Sequence, residues 1–255
     1  TDPDSDPLTA DLVAGPAHAS AFTFNTDGTF TYEPENGFRG TDTFTYVAND
    51  GLVDSNVATV SIDVSPLVIT FRSLSRMDGW ILEYTETSNM GGKVWANQIL
   101  RVGDSAQDQQ YRSILSFNVK PMSAAAVIVS ASVKLNRFDV AGVNPLMTHG
   151  RLIADVRKGF FGISSALEPA DFNAAASKLD VGRFTKVPGS VKWYQLVLIP
   201  ADFTYINVGG LTQFRLRFGL DDNDNGIEDW IRFASGNSVT RGRPSLTLEY
   251  YISHP

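Results

Sequence analysis

Period two dominates the chain. In "QFRLRFGL", Phe214, Leu216, Phe218 and Leu220 fall on one side of an extended backbone, and Arg215 and Arg217 on the other. The same alternation, or a short apolar run rich in Val, Thr, Ile and Phe, recurs in "VITFRSL", "YRSILSFNV", "VIVSASVKLNRF", "RLIADV", "WYQLVLI", "DWIRFAS" and "SLTLEYY". Gly, Pro, Asn and Asp clusters separate these runs, which read as strands. Upstream, "AFTFNTDGTFTYEP" reads as two strands around Asp27 and Gly28, a hairpin signal, and "TDTFTYVANDG" and "NVATVSIDV" supply two more. "SPLV" (65–68) interrupts the series. "EPADFNAAASKL" alone has helical character and predicts one short helix or turn, with Pro169 near its start. Many short strands at this spacing predict an all-β protein built of sandwiches, not a parallel α/β sheet.

Charge divides the chain where the pattern breaks. Residues 1–66 carry eleven acids against Arg39, a net of −10, whereas the remainder is +3 in a total of −7. With 255 residues to distribute, two domains are expected, at 1–65 and 68–255. The chain has no cysteine, which removes disulfides, thiolate catalysis and cysteine-based zinc or iron sites. No run of about 18 apolar residues is present to insert in a membrane as a helix. The opening "TDPDSDPLTADLV" lacks the features of a signal peptide, so the chain is read as an excerpt of a longer precursor or a mature product.

Two resemblances sharpen the division. "DPDSDPLTADLVAGPAHA", "DGTFTYEPENGFRGTDTFTYVANDG" and "SNVATVSIDV" resemble the bacterial tandem Ig-like or cadherin-like repeat of exported surface proteins. The resemblance implies an Ig-like sandwich acting as a spacer or adhesive module, here read as N-terminally incomplete, at the cell surface or outside it. "ILRVGDSAQDQQYRSILSFNV", "VIVSASVKLNRF" and "DWIRFASGNSVTRGRPSLTLEYY" make residues 68–252 similar to the DNRLRE-type jelly-roll family. That resemblance implies a larger jelly-roll sandwich that binds polysaccharide, anionic glycans included. The tetrads that give the family its label are absent.

The densest polar stretch is "GLDDNDNGIEDWIRF" (219–233). Hard cations such as Ca²⁺ take six to eight oxygens, and Asp221, Asn223 and Asn225 stand at offsets one, three and five with Gly226 at six, as in an EF-hand loop. The twelfth position is Arg232, so the EF-hand pattern fails. The same residues spell D-x-N-D-N, the cadherin linker signature, inside what should be the second domain. Asp221, Asp222, Asp224, Glu228 and Asp229 repel one another unless a cation is bound, so a calcium loop is expected over a solvated turn. Its expected ligands are Asp221, Asp222, Asn223, Asp224, Asn225 and Asp229, with Glu83 or Glu86 from "ILEYTETSN". A second candidate groups Asp2, Asp4 and Asp6 with Asp50.

Catalysis finds little footing. His18, His149 and His254 are scattered, and no Gly-x-Ser-x-Gly, G-x-G-x-x-G or Walker A pattern occurs. Carboxylates for glycoside hydrolysis could be drawn from Glu83, Glu86 and Glu228, but nothing in the sequence sets their separation. The small basic excess does not suit nucleic acid. Arg112, Arg215 and Arg217, with Lys134, are instead expected to meet an anionic polysaccharide from polar strand faces. Trp80, Trp95, Trp193, Tyr111 or Tyr194 would offer platforms for sugar rings. The sequence therefore predicts a non-catalytic extracellular glycan-binding module with Ca²⁺. The alternative is a structural or adhesive segment that contacts other proteins or its own copies.

Overall fold

The computed structural model describes residues 7–96, 99–238 and 242–252. The chain separates into two compact units, with the boundary between Leu67 and Val68.

In the first unit, β1 (Thr9–Ala14), β4 (Gly40–Asn49) and β5 (Ala58–Val64) form one antiparallel sheet in the order β1-β4-β5, and β2 (Ala19–Phe24) pairs with β3 (Phe30–Pro34) in a hairpin. Asp27 caps the hairpin turn by accepting from the Thr29 N–H at 2.9 Å, and Gly28 there takes a φ of +82°. The two sheets meet on Phe44, which is 1% exposed and lies 5.1, 5.4 and 4.9 Å from the rings of Phe22, Phe24 and Phe30. A single carboxylate ties the layers together. Asp42 accepts from the backbone N–H groups of Ala17, His18 and Thr43 and from the Tyr32 hydroxyl, all within 2.9–3.1 Å.

The second unit is a sandwich-like body of twelve strands. They are β6 (Leu67–Arg72), β7 (Gly79–Glu83), β8 (Gly91–Ala96), β9 (Ile99–Asp104), β10 (Gln110–Asn118), β11 (Ala126–Ala141), β12 (Leu152–Lys158), β13 (Thr185–Lys186), β14 (Trp193–Val197), β15 (Leu211–Phe218), β16 (Trp230–Ala234) and β17 (Ser245–Ile252). One layer joins β8, β7, β10, β15 and β12, with β9 and β16 continuing from the start of β10; the other joins β6, β17, β11, β14 and β13. Strand β11 belongs to both. Its first nine residues face β17, Ser132–Asn136 face β14, and Arg137–Ala141 face β16. Strand β6 lies antiparallel to β17, with Thr70 and Thr247 hydroxyls 3.0 Å apart and the Ser73 N–H donating to Pro244 O at 3.1 Å.

Period two decides which side chains fill the space between layers. Phe214, Leu216 and Phe218 of β15, Leu115 and Phe117 of β10, Leu100 and Val102 of β9, and Ile231 and Phe233 of β16 are all buried in one core. Burial of such side chains contributes roughly 1.5–3 kcal/mol each. Among the described residues helix is confined to stretches of three to six residues, among them Pro169–Phe172 within the predicted segment, where Glu168 and Asp171 form a capping box. The 159–176 stretch covers the outside of the β7–β10–β15 layer, placing Phe161 and Phe172 over Ile81 and Ile114 in a second, smaller core.

Candidate functional site

That outer layer changes the fate of the strand arginines. Arg215 points away from the main core as its alternation requires, yet is 3% exposed because the 159–176 stretch lies over it. Its Nε and Nη2 donate to Asp155 at 3.1 and 2.9 Å, and Nη1 donates to the carbonyls of Asp171, Phe172 and Ala174. The guanidinium also sits 4.7 Å from the Phe161 ring centroid. Every donor group of Arg215 is therefore used within the fold, and the polar strand face expected to meet solvent or ligand is covered. Arg217 grips the other side of Asp155 with two bonds of 3.1 Å but keeps 22% of its side chain exposed. Burial pushes the Asp155 carboxyl upward, but the Arg217 hydrogen bond and the Arg215 charge outweigh it and hold the group below its ordinary range.

Arg112 stands nearby with no carboxylate of its own. Its guanidinium donates to Gln110 Oε1 and, at 2.8 Å, to Phe172 O, and lies 4.1 Å from the Phe172 ring centroid. Burial, then the charges of Arg215 and Arg217, pull its pKa down to about 10. Three guanidinia are thus gathered around Asp155, with Glu83 the next acid. Arg112 and Arg217 line an open groove of about 420 Å³ with Asn89, Gln110, Glu83 and Asp221. Lys134 is not part of this group. It lies on β11 in the opposite layer, where it lines a separate groove with Arg72 and Trp193.

The 219–229 loop is a chain of self-capped turns. Asp222 accepts from the Asp224 N–H and Asn225 from the Ile227 N–H, and Asp224 takes a left-handed φ of +53°. Asp229 is fully buried and accepts from the Val143 N–H and from Asn223 Nδ2. Its own N–H donates to Asp104, which is buried against His149 at 3.1 Å; His149 in turn meets the Thr148 hydroxyl. The loop is thereby fastened to β9. Asp108, from the β9–β10 turn, reaches across to accept from the Gly226 N–H. Burial, then the charges of Asp221, Asp224 and Asp108, push the Asp222 carboxyl up to about 6.

The donor set is all oxygen, and the Asn223 Oδ1 is buried without a partner, so the chemistry fits a hard cation. Among the described residues, however, no three histidine or carboxylate side chains converge within metal-ligand reach. Asp221 borders the arginine groove with Glu83, whose oxygens accept from the Asn89 and Gln110 N–H groups. Glu86 lies on the exposed turn between β7 and β8. Asp50 spends its Oδ1 on the Leu52 and Val53 N–H groups, while Asp2, Asp4 and Asp6 lie outside the described residues.

The expected aromatic platforms separate in the same way. Tyr194 is 1% exposed in the main core, and Trp193 belongs to the Lys134 groove. Trp80, Trp95 and Tyr111 come together beside Arg101, a residue that the sequence pattern did not single out. Its strand, β9, is short and ends on a glycine and an aspartate, and nothing in one strand reveals that its arginine faces aromatic side chains of three others.

Comparison with known proteins bears on the first unit. Residues 1–66 match the family described as the bacterial cadherin-like domain. No curated protein matches the chain.

Proposed function

We propose that the chain is a non-catalytic extracellular binding segment in which the second unit holds an anionic polysaccharide and the first serves as its spacer. The observation that carries this reading is the arginine groove, where Arg112, Arg215 and Arg217 stand against the buried Asp155 carboxylate. Arg215 sets the electrostatic floor from within the fold, and Arg112 and Arg217, braced by Gln110, Phe172 O and Asp155, line the groove with positive charge. Guanidinium charge of this kind suits carboxylate or sulfate groups. The 221–229 loop forms one border of the groove, and Ca²⁺ bound by Asp221, Asp222, Asn223 and Asp224 would order that border. The bacterial cadherin-like match of residues 1–66 supports a structural or adhesive role on the outside of a cell.

The test is calorimetric titration of the full chain with alginate, pectate and cellulose oligomers at low and high salt. Charges are screened over about 8–10 Å at physiological salt, so binding to the anionic oligomers should weaken as salt is raised. Arg112→Gln should reduce it further. A preference for the cellulose oligomer, or affinity indifferent to salt, rejects the anionic reading. The cadherin-like match also favours a second reading, attachment to other proteins or to copies of the chain. Self-association that rises with concentration in sedimentation velocity, with no glycan bound, would select it.

A further inference from the structure

Strand β10 divides its neighbours near Tyr111, which faces Leu82 of β7 on one side and Gly103 of β9 on the other. Where the two partners diverge, a cleft of about 330 Å³ opens, within the range of small-ligand pockets. Trp80 and Trp95 are cross-strand partners on β7 and β8, their rings 4° from parallel with centroids 6.2 Å apart, and Tyr111 meets Trp80 edge-on at 5.1 Å. Arg101 is fixed from below: its N–H donates to Ser113 Oγ at 2.9 Å, and that hydroxyl returns a 2.7 Å bond to Arg101 O. The guanidinium carbon lies 5.2, 4.9 and 4.4 Å from the ring centroids of Trp80, Tyr111 and Trp230.

This arginine differs from Arg215, Arg217 and Arg232, which are bound to carboxylates. Arg101 donates to Tyr111 Oη at 3.1 Å, and its Nε, shielded from water, has no acceptor. The indole Nε1 of Trp80, a residue 6% exposed, has none either. A buried N–H group without an acceptor is destabilising, and an incoming acceptor relieves it. Both are donors, and the nearby charge of Lys93, which is exposed, is positive and lies 5.5 Å from the Trp95 ring centroid. Trp95 is 44% exposed and presents a flat apolar face.

We propose that this cleft is a second ligand site, independent of the Arg112 groove, for a ring that carries a carboxylate. The ring lies on the Trp95 face, and the carboxylate accepts from Arg101 and from Trp80 Nε1. Lys93, an exposed member of the rim, turns aside to admit it. A six-membered sugar acid and an aromatic acid share this chemistry, and the measurement separates them.

Full-length protein is titrated with methyl glucuronide, methyl glucoside and benzoate, following both heat and tryptophan fluorescence. The glucuronide should bind and alter the indole emission, with the neutral glucoside at least tenfold weaker. Arg101→Lys keeps the charge but loses the Nε–H, and Trp80→Phe keeps an aromatic ring of smaller size but loses the indole N–H. Each should weaken binding at least tenfold with the fold retained by circular dichroism. Benzoate binding in place of the glucuronide, with the same response to the variants, assigns the site to an aromatic acid and upholds the carboxylate chemistry. Binding of neither acid, equal binding of glucoside and glucuronide, or indifference to Trp80→Phe overturns the proposal. Trp80→Phe keeps the test decisive if Arg101→Lys fails to fold. Failure of the oligosaccharide titration at the Arg112 groove leaves this outcome unaffected, because the responses to Arg101→Lys and Trp80→Phe report on this cleft alone.

Discussion

Arg215 and Arg101 are both strand arginines that alternate with core residues, yet one is bonded on every side and the other keeps a free N–H. Period two indicated the face that Arg215 takes, but not that Phe161 and Phe172, from a remote segment, would cover it. Removing one member of a buried ion pair costs about 3–5 kcal/mol, because the other is left buried and uncompensated. Arg215→Ala should therefore lower stability by about that amount in urea unfolding, and Arg217→Ala, whose side chain is part-exposed, by clearly less. Equal, small losses would show that Asp155 does not depend on Arg215. Asp78 gives a pH dependence. It is fully buried, accepts from the Ser116 and Gly236 N–H groups, and burial pushes its carboxyl from 3.8 up to about 7. The folded state then binds a proton that the unfolded state has released, so the contribution of this group to stability is fully present below about pH 4 and is lost as pH rises through about 7. The slope for one such group is at most about 1.4 kcal/mol per pH unit. Unfolding at pH 4.5 and 7.5 should show a smaller difference in Asp78→Asn than in the wild type; an equal difference assigns the slope to other groups.

The longer strands, β10, β11, β15 and β17, were legible because their apolar positions alternate over eight residues or more. The elements that build the aromatic cleft were not. Strands β7, β8 and β9 run for five or six residues and carry Gly79, Gly91, Gly92 and Gly103, which weaken any strand pattern. The glycines are there for close approach. At Gly103 the backbone takes a φ of +132°, and a Cβ would stand 2.0 Å from Asp229 O, where β9 meets the end of the acidic loop. Gly103→Ala should destabilise the second unit by more than the roughly 1–3 kcal/mol of backbone strain alone, since the Asp229 carbonyl must also shift. An unchanged melting temperature would mean that the loop yields freely. In the first unit, Asp27 and Gly28 announced the β2–β3 hairpin correctly, whereas β1 lay inside a polar segment whose burial is slight and was not read as a strand.

Across the whole molecule, the charge asymmetry and the break at "SPLV" were visible because they concern composition, while the gathering of Asp108 with Asp221, Asp222 and Asp224 joins residues more than a hundred positions apart. If the loop takes calcium, binding to the folded form alone adds about 2.7 kcal/mol at a hundredfold excess over Kd. Calorimetry should then show the melting temperature falling on addition of EDTA and returning with CaCl₂, and Asp222→Ala with Asp224→Ala should abolish the response. A wild-type melting curve indifferent to EDTA would make the loop a turn and nothing more. The antiparallel seating of β6 on β17 has a mechanical consequence. A pull applied across Val68 and Ile252 acts on adjacent ends of neighbouring strands, so it opens their ladder one hydrogen bond after another instead of shearing all of them together. Under tension the second unit should yield by peeling from this seam at low force, with β11, stitched into both layers, resisting until the seam has gone.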